Sequence, residues 1–140
     1  MLYGPNFNFA KWLKRHHSFL PENSYAAAFI RAGRYINADE QDLVYVDVAI
    51  SVGSIARPRI LRKIYSTDEP ALLQELGRLV QVPEEYENDI DTIIATLNDT
   101  QLLGVDVEVR LYEDEDFIVP YAVIESIYPA GELYTDYSDE

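Results

Sequence analysis

The strongest signal in the sequence is an alternation of apolar and polar side chains. In residues 43–52 every second position is aliphatic, and these positions share one face: Val44, Val46, Val48, Ile50 and Val52. The other face carries Tyr45 and Asp47. A period of two is typical of a β-strand with one buried face. Residues 102–112 alternate in the same way, and residues 117–127 are expected to return beside them as a hairpin.

Two further strands are predicted in the first half of the chain. Residues 24–36 contain several alanines, which favour a helix, but their aromatic and β-branched side chains suit a long bent strand. Gly33 then marks a bulge or a close approach of another group. Residues 55–65 form the next strand, and Pro58 indicates an edge position or an irregular start.

Helical periodicity replaces this alternation after residue 66. Apolar side chains recur at helical spacing and predict a helix that Pro83 ends: Leu72, Leu73, Leu76, Leu79 and Val80. A shorter helix is predicted over residues 90–97. The order is therefore three strands, one or two helices and two strands. This is the element order of an OB-fold, so we expect a mostly-β chain with an inserted helix, folded as an OB-fold-like five-stranded barrel.

Length and composition fit one domain. The chain has 140 residues, 48% of them hydrophobic. We place the domain at residues 23–130, with an aromatic and basic extension over residues 1–22 and an acidic tail over residues 131–140. The aromatic side chains of the extension either pack on the core or contact a ligand. No apolar run approaches the about 18 residues of a membrane span, and there is no cysteine, so we expect a cytoplasmic protein without a membrane partner.

The charges of the chain are unevenly distributed. Residues 1–63 carry nine Lys and Arg against five Asp and Glu, whereas residues 64–140 carry two against twenty. The net charge of −14 argues against a general coating protein for duplex DNA, because phosphate affinity depends on cationic contacts. It leaves room for one local basic surface beside an acidic region.

The pattern of reactive side chains does not favour an enzyme. The two histidines, His16 and His17, are adjacent and therefore point in different directions in a helix or a strand. The sequence contains no phosphate-binding loop, no zinc-protease helix and no nucleophile-elbow motif. We expect no catalytic residue, no metal site and no cofactor.

Basic and aromatic side chains on the first three strands instead indicate a nucleic-acid interface. OB-folds bind single strands on their second and third strands, where aromatic rings stack on bases and cations follow the phosphates. The candidate binding residues are Arg31, Arg34, Tyr35, Tyr45, Arg57, Arg59, Arg62, Lys63 and Tyr65. Strand alternation would place Arg57, Arg59 and Lys63 on one face and Arg62 on the other. The alternative is that these arginines balance nearby carboxylates and the tyrosines are ordinary strand residues.

Several segments together resemble a known family. These are Leu20-Pro21 through Tyr25, LVYVDVAI, RPRILRKIY, ALLQELGRLVQV, LLGVDVEVRLY and FIVPYAVIESIYP. Over about residues 20–130 the chain is similar to small phage-encoded single-stranded-DNA-binding proteins. The resemblance implies an OB-like barrel that serves replication or recombination, often with an acidic tail. It also implies the binding residues Tyr45, Arg57, Arg59, Arg62, Lys63 and Tyr65. The chain differs in its longer extension and its more acidic second half.

The acidic segments allow further functional interpretations. The tail over residues 131–140 is expected either to recruit replication or recombination proteins or to act as a solubilising terminus. The acidic second half also fits an inhibitor that mimics DNA and binds a nucleic-acid-processing partner, of an anti-restriction or anti-CRISPR type. A third hypothesis is an assembly module or homo-oligomer, with the tyrosines at interfaces.

Overall fold

The computed structural model of the chain describes residues 20–50, 58–100, 103–112 and 121–132. The elements follow in the order β1 (Asn23–Ile36), β2 (Asp42–Ile50), β3 (Arg59–Ser66), α1 (Pro70–Leu76), a 3₁₀ turn (Glu84–Tyr86), α2 (Ile90–Asp99), β4 (Gly104–Tyr112) and β5 (Tyr121–Pro129). This confirms the mostly-β class and the insertion of helices between the third and fourth strands. Helix α1 is shorter than predicted, because the chain turns after Leu76 and continues without helical structure to Pro83.

The five strands form one antiparallel sheet in the order β3-β2-β1-β4-β5. Strand β1 is central and long enough to pair with β4 through its first half and with β2 through its second. Its pairing with β2 shifts register between Phe29 and Arg31. The strand predicted over residues 24–36 is thus confirmed, and its bulge lies at residues 29–31 instead of at Gly33. Gly33 meets the other expectation, a close approach by a neighbouring side chain.

The core lies between one face of the sheet and the two helices. The aliphatic face predicted for β2 is confirmed over its described part, since Val44, Val46, Val48 and Ile50 are fully buried. Alternate valines of β4 and the buried leucines and isoleucine of the helices complete this core: Val105, Val107, Val109, Leu72, Leu76, Ile93 and Leu97. The sheet surface turned away from this core carries the polar residues of β2.

The two edge strands, β3 and β5, run parallel and are joined by side chains. Lys63 of β3 donates a hydrogen bond to the carbonyl oxygen of Glu125 in β5. Glu75 of α1 accepts one from the hydroxyl of Tyr65 in β3 (2.7 Å) and one from the backbone N–H of Ile127 in β5 (3.2 Å). No strand pairing joins β3 to β5 among the described residues. Among the described residues the sheet is therefore not closed into the predicted five-stranded barrel, and polar side chains bridge its edges.

Helix α2 covers the edge of β1 beyond the end of its pairing with β4. The side-chain amide of Asn98 donates to the carbonyl oxygen of Ala32 and accepts from its backbone N–H, both at 2.9 Å. One asparagine thus satisfies both backbone groups of a strand residue, as a neighbouring strand would. This contact fixes the second half of β1, where three of the candidate residues lie: Arg31, Arg34 and Tyr35.

Some predictions fall outside the described residues. They concern Arg57, the first part of the aromatic and basic extension (residues 1–19), the turn of the hairpin predicted between residues 112 and 117, and most of the acidic tail (residues 133–140). Within the described ranges, no helix has the length and apolar character needed to cross a membrane.

Candidate nucleic-acid interface

The sheet surface opposite the core, over β1, β2 and β3, gathers the aromatic and cationic candidates. We call it the outer face, and its central residues are Arg31, Gly33, Tyr35, Tyr45, Asp47, Ile60, Arg62 and Ile64. Strand register sets the arrangement: Asp47 lies opposite both Arg31 and Arg62. Two residues earlier in β2, Tyr45 lies opposite both Gly33 and Ile64. Because side chains alternate along a strand, these two cross-strand rows point to the same side.

Asp47 is the anchor of the first row. Its carboxylate is almost fully buried and accepts three hydrogen bonds. Arg62 donates through Nε (2.7 Å) and Nη2 (3.0 Å), and Arg31 donates through Nε (2.9 Å). The hydrogen bonds from Arg62 hold the pKa of the Asp47 carboxyl below its ordinary value, against the opposing effect of burial. Asp47 therefore remains charged and holds both guanidinium groups in place.

Tyr45 forms a stack in the second row. Its ring lies over the backbone of Gly33, where an added Cβ would meet the ring carbon Cε1 at 2.5 Å. The guanidinium carbon of Arg62 lies 4.1 Å from the centre of the same ring, within the range of a cation–π contact. The ring of Tyr35 packs beside it, with centroids 6.1 Å apart and planes tilted by 54°. The outer face thus presents Arg62 stacked on Tyr45, with the tilted ring of Tyr35 beside them.

Exposed aliphatic side chains border this stack. Ile60 and Ile64 flank Arg62 on the same face of β3 and are 51% and 49% exposed. Arg31 and Arg62 keep about half of their side chains exposed, at 55% and 49%. Exposed apolar side chains of this size provide a contact surface for a flat or apolar ligand beside the cations.

Arg34 lies away from the outer face. Its register partner is the core residue Val44, so its side chain leaves from the helix side at the end of the sheet. There its Nη2 contacts Asp42 at 2.6 Å and its Nη1 contacts Asp91 of α2 at 3.1 Å. The hydrogen bond from Arg34 lowers the pKa of the Asp42 carboxyl. Its two carboxylate partners give Arg34 a structural role, joining β1, β2 and α2.

Lys63 and Tyr65 also point away from the outer face. Both lie on the inner side of β3, and both contact the Glu75 carboxylate, Lys63 at 2.9 Å. Tyr65 is fully buried, and this burial, together with its hydrogen bond to Glu75, raises the pKa of its hydroxyl. Since its ring is inside the core, it has no surface for a base to stack on. The structure therefore places these two residues on the opposite face of the sheet from Tyr45.

Arg59 lies on the same inner side of β3 as Lys63, and Arg62 lies on the other side, as strand alternation predicted. Arg59 is half-buried and sits opposite Ile50 at the start of the strand. The structure therefore brings together Arg31, Tyr35, Tyr45 and Arg62. It separates them from Arg34, Arg59, Lys63 and Tyr65, while Arg57 is outside the described residues.

The sequence reasoning omitted Asp47 from the binding residues although it organises the face. The available signal was a lone carboxylate within an otherwise apolar strand, which requires a cationic partner when buried.

A second patch of aromatic and charged side chains, on β4 and β5, was also not predicted from the sequence. There the rings of Tyr112 and Tyr121 pack 5.4 Å apart, and Arg110 contacts Glu125 at 2.9 Å. Of these residues, Arg110, Tyr112 and Glu125 border an open groove of about 640 Å³ that Glu22 also lines. With two carboxylates and one arginine, this patch is more acidic than the outer face.

The described residues contain no group of three histidine or carboxylate side chains placed to hold a metal ion. A scan against protein-family models finds no match for this chain, and a search of curated proteins finds no similar sequence.

Proposed function

We propose that this chain is a non-catalytic protein that binds single-stranded DNA across the outer face of β1, β2 and β3. The observation that carries the proposal is the stack of Arg62 on Tyr45, fixed from below by Asp47. Aromatic rings and guanidinium planes are the two kinds of protein surface on which unpaired bases stack. Here both kinds lie side by side on an exposed sheet, next to a second tyrosine and a second arginine.

We also propose that the sheet is an open variant of the OB-fold. The strand order, the parallel edge strands and the helices inserted between β3 and β4 support this. OB-folds are partly open five-stranded barrels that bind oligonucleotides on the face of their second and third strands. The outer face includes the exposed side of β2 and β3, which supports the proposal. The resemblance to phage-encoded proteins extends the proposal to replication or recombination in a host cytoplasm, with the acidic tail as a site for protein partners.

The structure limits the affinity that this face provides. A stacked base contributes about 1–3 kcal/mol, so Tyr35 and the Tyr45–Arg62 pair together contribute about 2–6 kcal/mol. This corresponds at best to a dissociation constant of tens of micromolar for a short ligand. Tighter binding requires longer strands that reach further surfaces or several protein copies on one strand.

Fluorescence anisotropy of a labelled oligo(dT) of about 16 nucleotides, the upper footprint of one OB-type domain, tests the proposal. We expect saturable binding at low salt, with the single strand preferred over a duplex of equal length. Tyr45→Ala should weaken binding about 5- to 150-fold, the equivalent of one lost stacked base. Arg110→Ala is the matched control, because it removes an exposed arginine from the other half of the sheet. Equal losses for both variants, or no binding at all, would contradict the proposal.

A second candidate function is supported by the acidic surface between the helices. The segment around the 3₁₀ turn presents exposed carboxylates close together, at Glu84, Glu85, Glu87 and Asp89. Carboxylates on a rigid segment can occupy the basic cleft of a nucleic-acid enzyme. If this is the function, the oligonucleotide will not bind. Replacing these four acids by their amides will then abolish capture of a basic DNA-processing enzyme, and Tyr45→Ala will not.

A further inference from the structure

The two arginines of the outer face are both held by one buried carboxylate. Asp47 engages two donors of Arg62 and one of Arg31, all between 2.7 and 3.0 Å. Two positive charges share one negative charge, so the cluster carries a net charge of +1. If Arg62 swung toward a phosphate, it would break both of its bonds to a buried carboxylate, which is costly when the carboxylate is left unsatisfied.

We infer that the outer face recognises bases and not phosphates, with Arg62 as a stacking platform and Asp47 as the residue that positions it. This rests on the proposed function. Arg62 directs Nε and Nη2 to Asp47, and its guanidinium carbon lies 4.1 Å from the centre of the Tyr45 ring, while half of its side chain is exposed. A guanidinium held in this way offers its flat face, the surface that stacks on a base.

The surroundings of the stack support the same ligand. Ile60 and Ile64 lie on either side of Arg62 along β3 and are about half exposed. Aliphatic side chains make favourable contacts with flat bases, whereas phosphates lose hydration against them. The ligand class is therefore an unstacked strand whose bases face the sheet and whose phosphates remain in solvent. A duplex hides its bases in the stack and does not offer this surface.

Salt dependence separates this mode from phosphate tracking. For single strands the slope of log K against log salt is about −0.7 per neutralised phosphate. A cluster of net charge +1 therefore predicts a loss of about threefold between 50 and 200 mM salt, against about 300-fold for six phosphate contacts. Asp47→Asn removes the shared negative charge, so both arginines become available to phosphates. That variant should lose about sevenfold over the same range.

The experiment compares oligo(dT) with an abasic strand of equal length, using the wild type, Arg62→Lys and Arg110→Lys. We expect the abasic strand to bind at least tenfold more weakly. Arg62→Lys, which keeps the charge but loses the plane, should weaken oligo(dT) binding about 5- to 150-fold. Arg110→Lys is the control for charge, because Arg110 lies on β4 outside the outer face, and it should change the affinity less than threefold. Circular dichroism of each variant confirms that the fold is retained.

Two outcomes overturn the inference in distinguishable ways. If oligo(dT) and the abasic strand bind equally well, or if the wild type shows a steep salt slope, the protein binds a single strand through its phosphates and base recognition is wrong. If neither strand binds to the wild type at 50 mM salt, the proposed function fails and the inference fails with it.

Discussion

The Glu75 carboxylate provides the most direct test of how the sheet edges are held together. It lies on α1 with 17% of its side chain exposed and contacts Lys63 Nζ, the Tyr65 hydroxyl and the Ile127 N–H. Glu75→Ala removes all three interactions at once. The Tyr65 hydroxyl then loses its acceptor inside the core, and Lys63, only 14% exposed, loses its counter-charge.

The size of the effect follows from these two groups. Leaving a buried donor unsatisfied costs about 1–3 kcal/mol, and breaking a buried ion pair by removing one partner costs about 3–5 kcal/mol. The two costs overlap because both groups share one carboxylate, so we expect Glu75→Ala to lower the free energy of unfolding by about 3–5 kcal/mol. A domain of this size has about 5–15 kcal/mol in total. The midpoint of thermal unfolding should fall by about 6–20 °C.

Urea denaturation followed by circular dichroism measures this loss. Tyr65→Phe, which removes one hydrogen bond and keeps the ion pair, should cost about 1 kcal/mol. Gln74→Ala, at the exposed neighbouring position on α1, is the matched control and should stay within about 0.5 kcal/mol of the wild type. A loss for Glu75→Ala within 1 kcal/mol of that control would refute the bridge between the sheet edges.

Three further predictions use the same unfolding assay. Gly33→Ala should cost about 1–3 kcal/mol and weaken oligonucleotide binding, because the new methyl group displaces the Tyr45 ring. Asn98→Ala should cost about 1–3 kcal/mol, because both backbone groups of Ala32 lose their partner; unchanged stability would show that water replaces the amide. The pKa of the Asp47 carboxyl is lower in the folded state than its ordinary value of 3.8, so the ionised carboxylate stabilises the fold at pH values above 3.8. This stabilisation disappears as the pH falls through the lower folded-state pKa. Acid unfolding of Asp47→Asn should therefore depend less on pH in that range than that of the wild type.

Local patterning predicted most of the elements. The buried face of β2 and the alternation of β4 were correct because a strand with one buried face must place every second side chain in the core. The two helices were correct for a similar reason, since each shows a single apolar stripe that packs on the sheet. The end of α1 was misplaced, because Leu79 and Val80 remain partly buried after the helix has ended and so imitate its periodicity.

Strand β3 shows where local patterning was insufficient. Both of its faces mix apolar and cationic side chains: Ile60, Arg62 and Ile64 on one, and Arg59, Leu61, Lys63 and Tyr65 on the other. The division of these residues between the two faces of the strand was predicted correctly, but the sequence did not indicate which face is buried. The position of Glu75 decides it, because that carboxylate gives Lys63 and Tyr65 polar partners on the inner side.

The sequence by itself determined the strands and helices, their order, the aliphatic face of β2 and the separation of basic from acidic segments. These properties depend on side chains within a few residues of one another. The tertiary structure alone decided the outer face, since Asp47 meets Arg31 and Arg62 from distances of 16 and 15 residues along the chain. Such contacts depend on the pairing register of three strands. Register is fixed by the packing of the whole sheet on its helices, so no single segment encodes it.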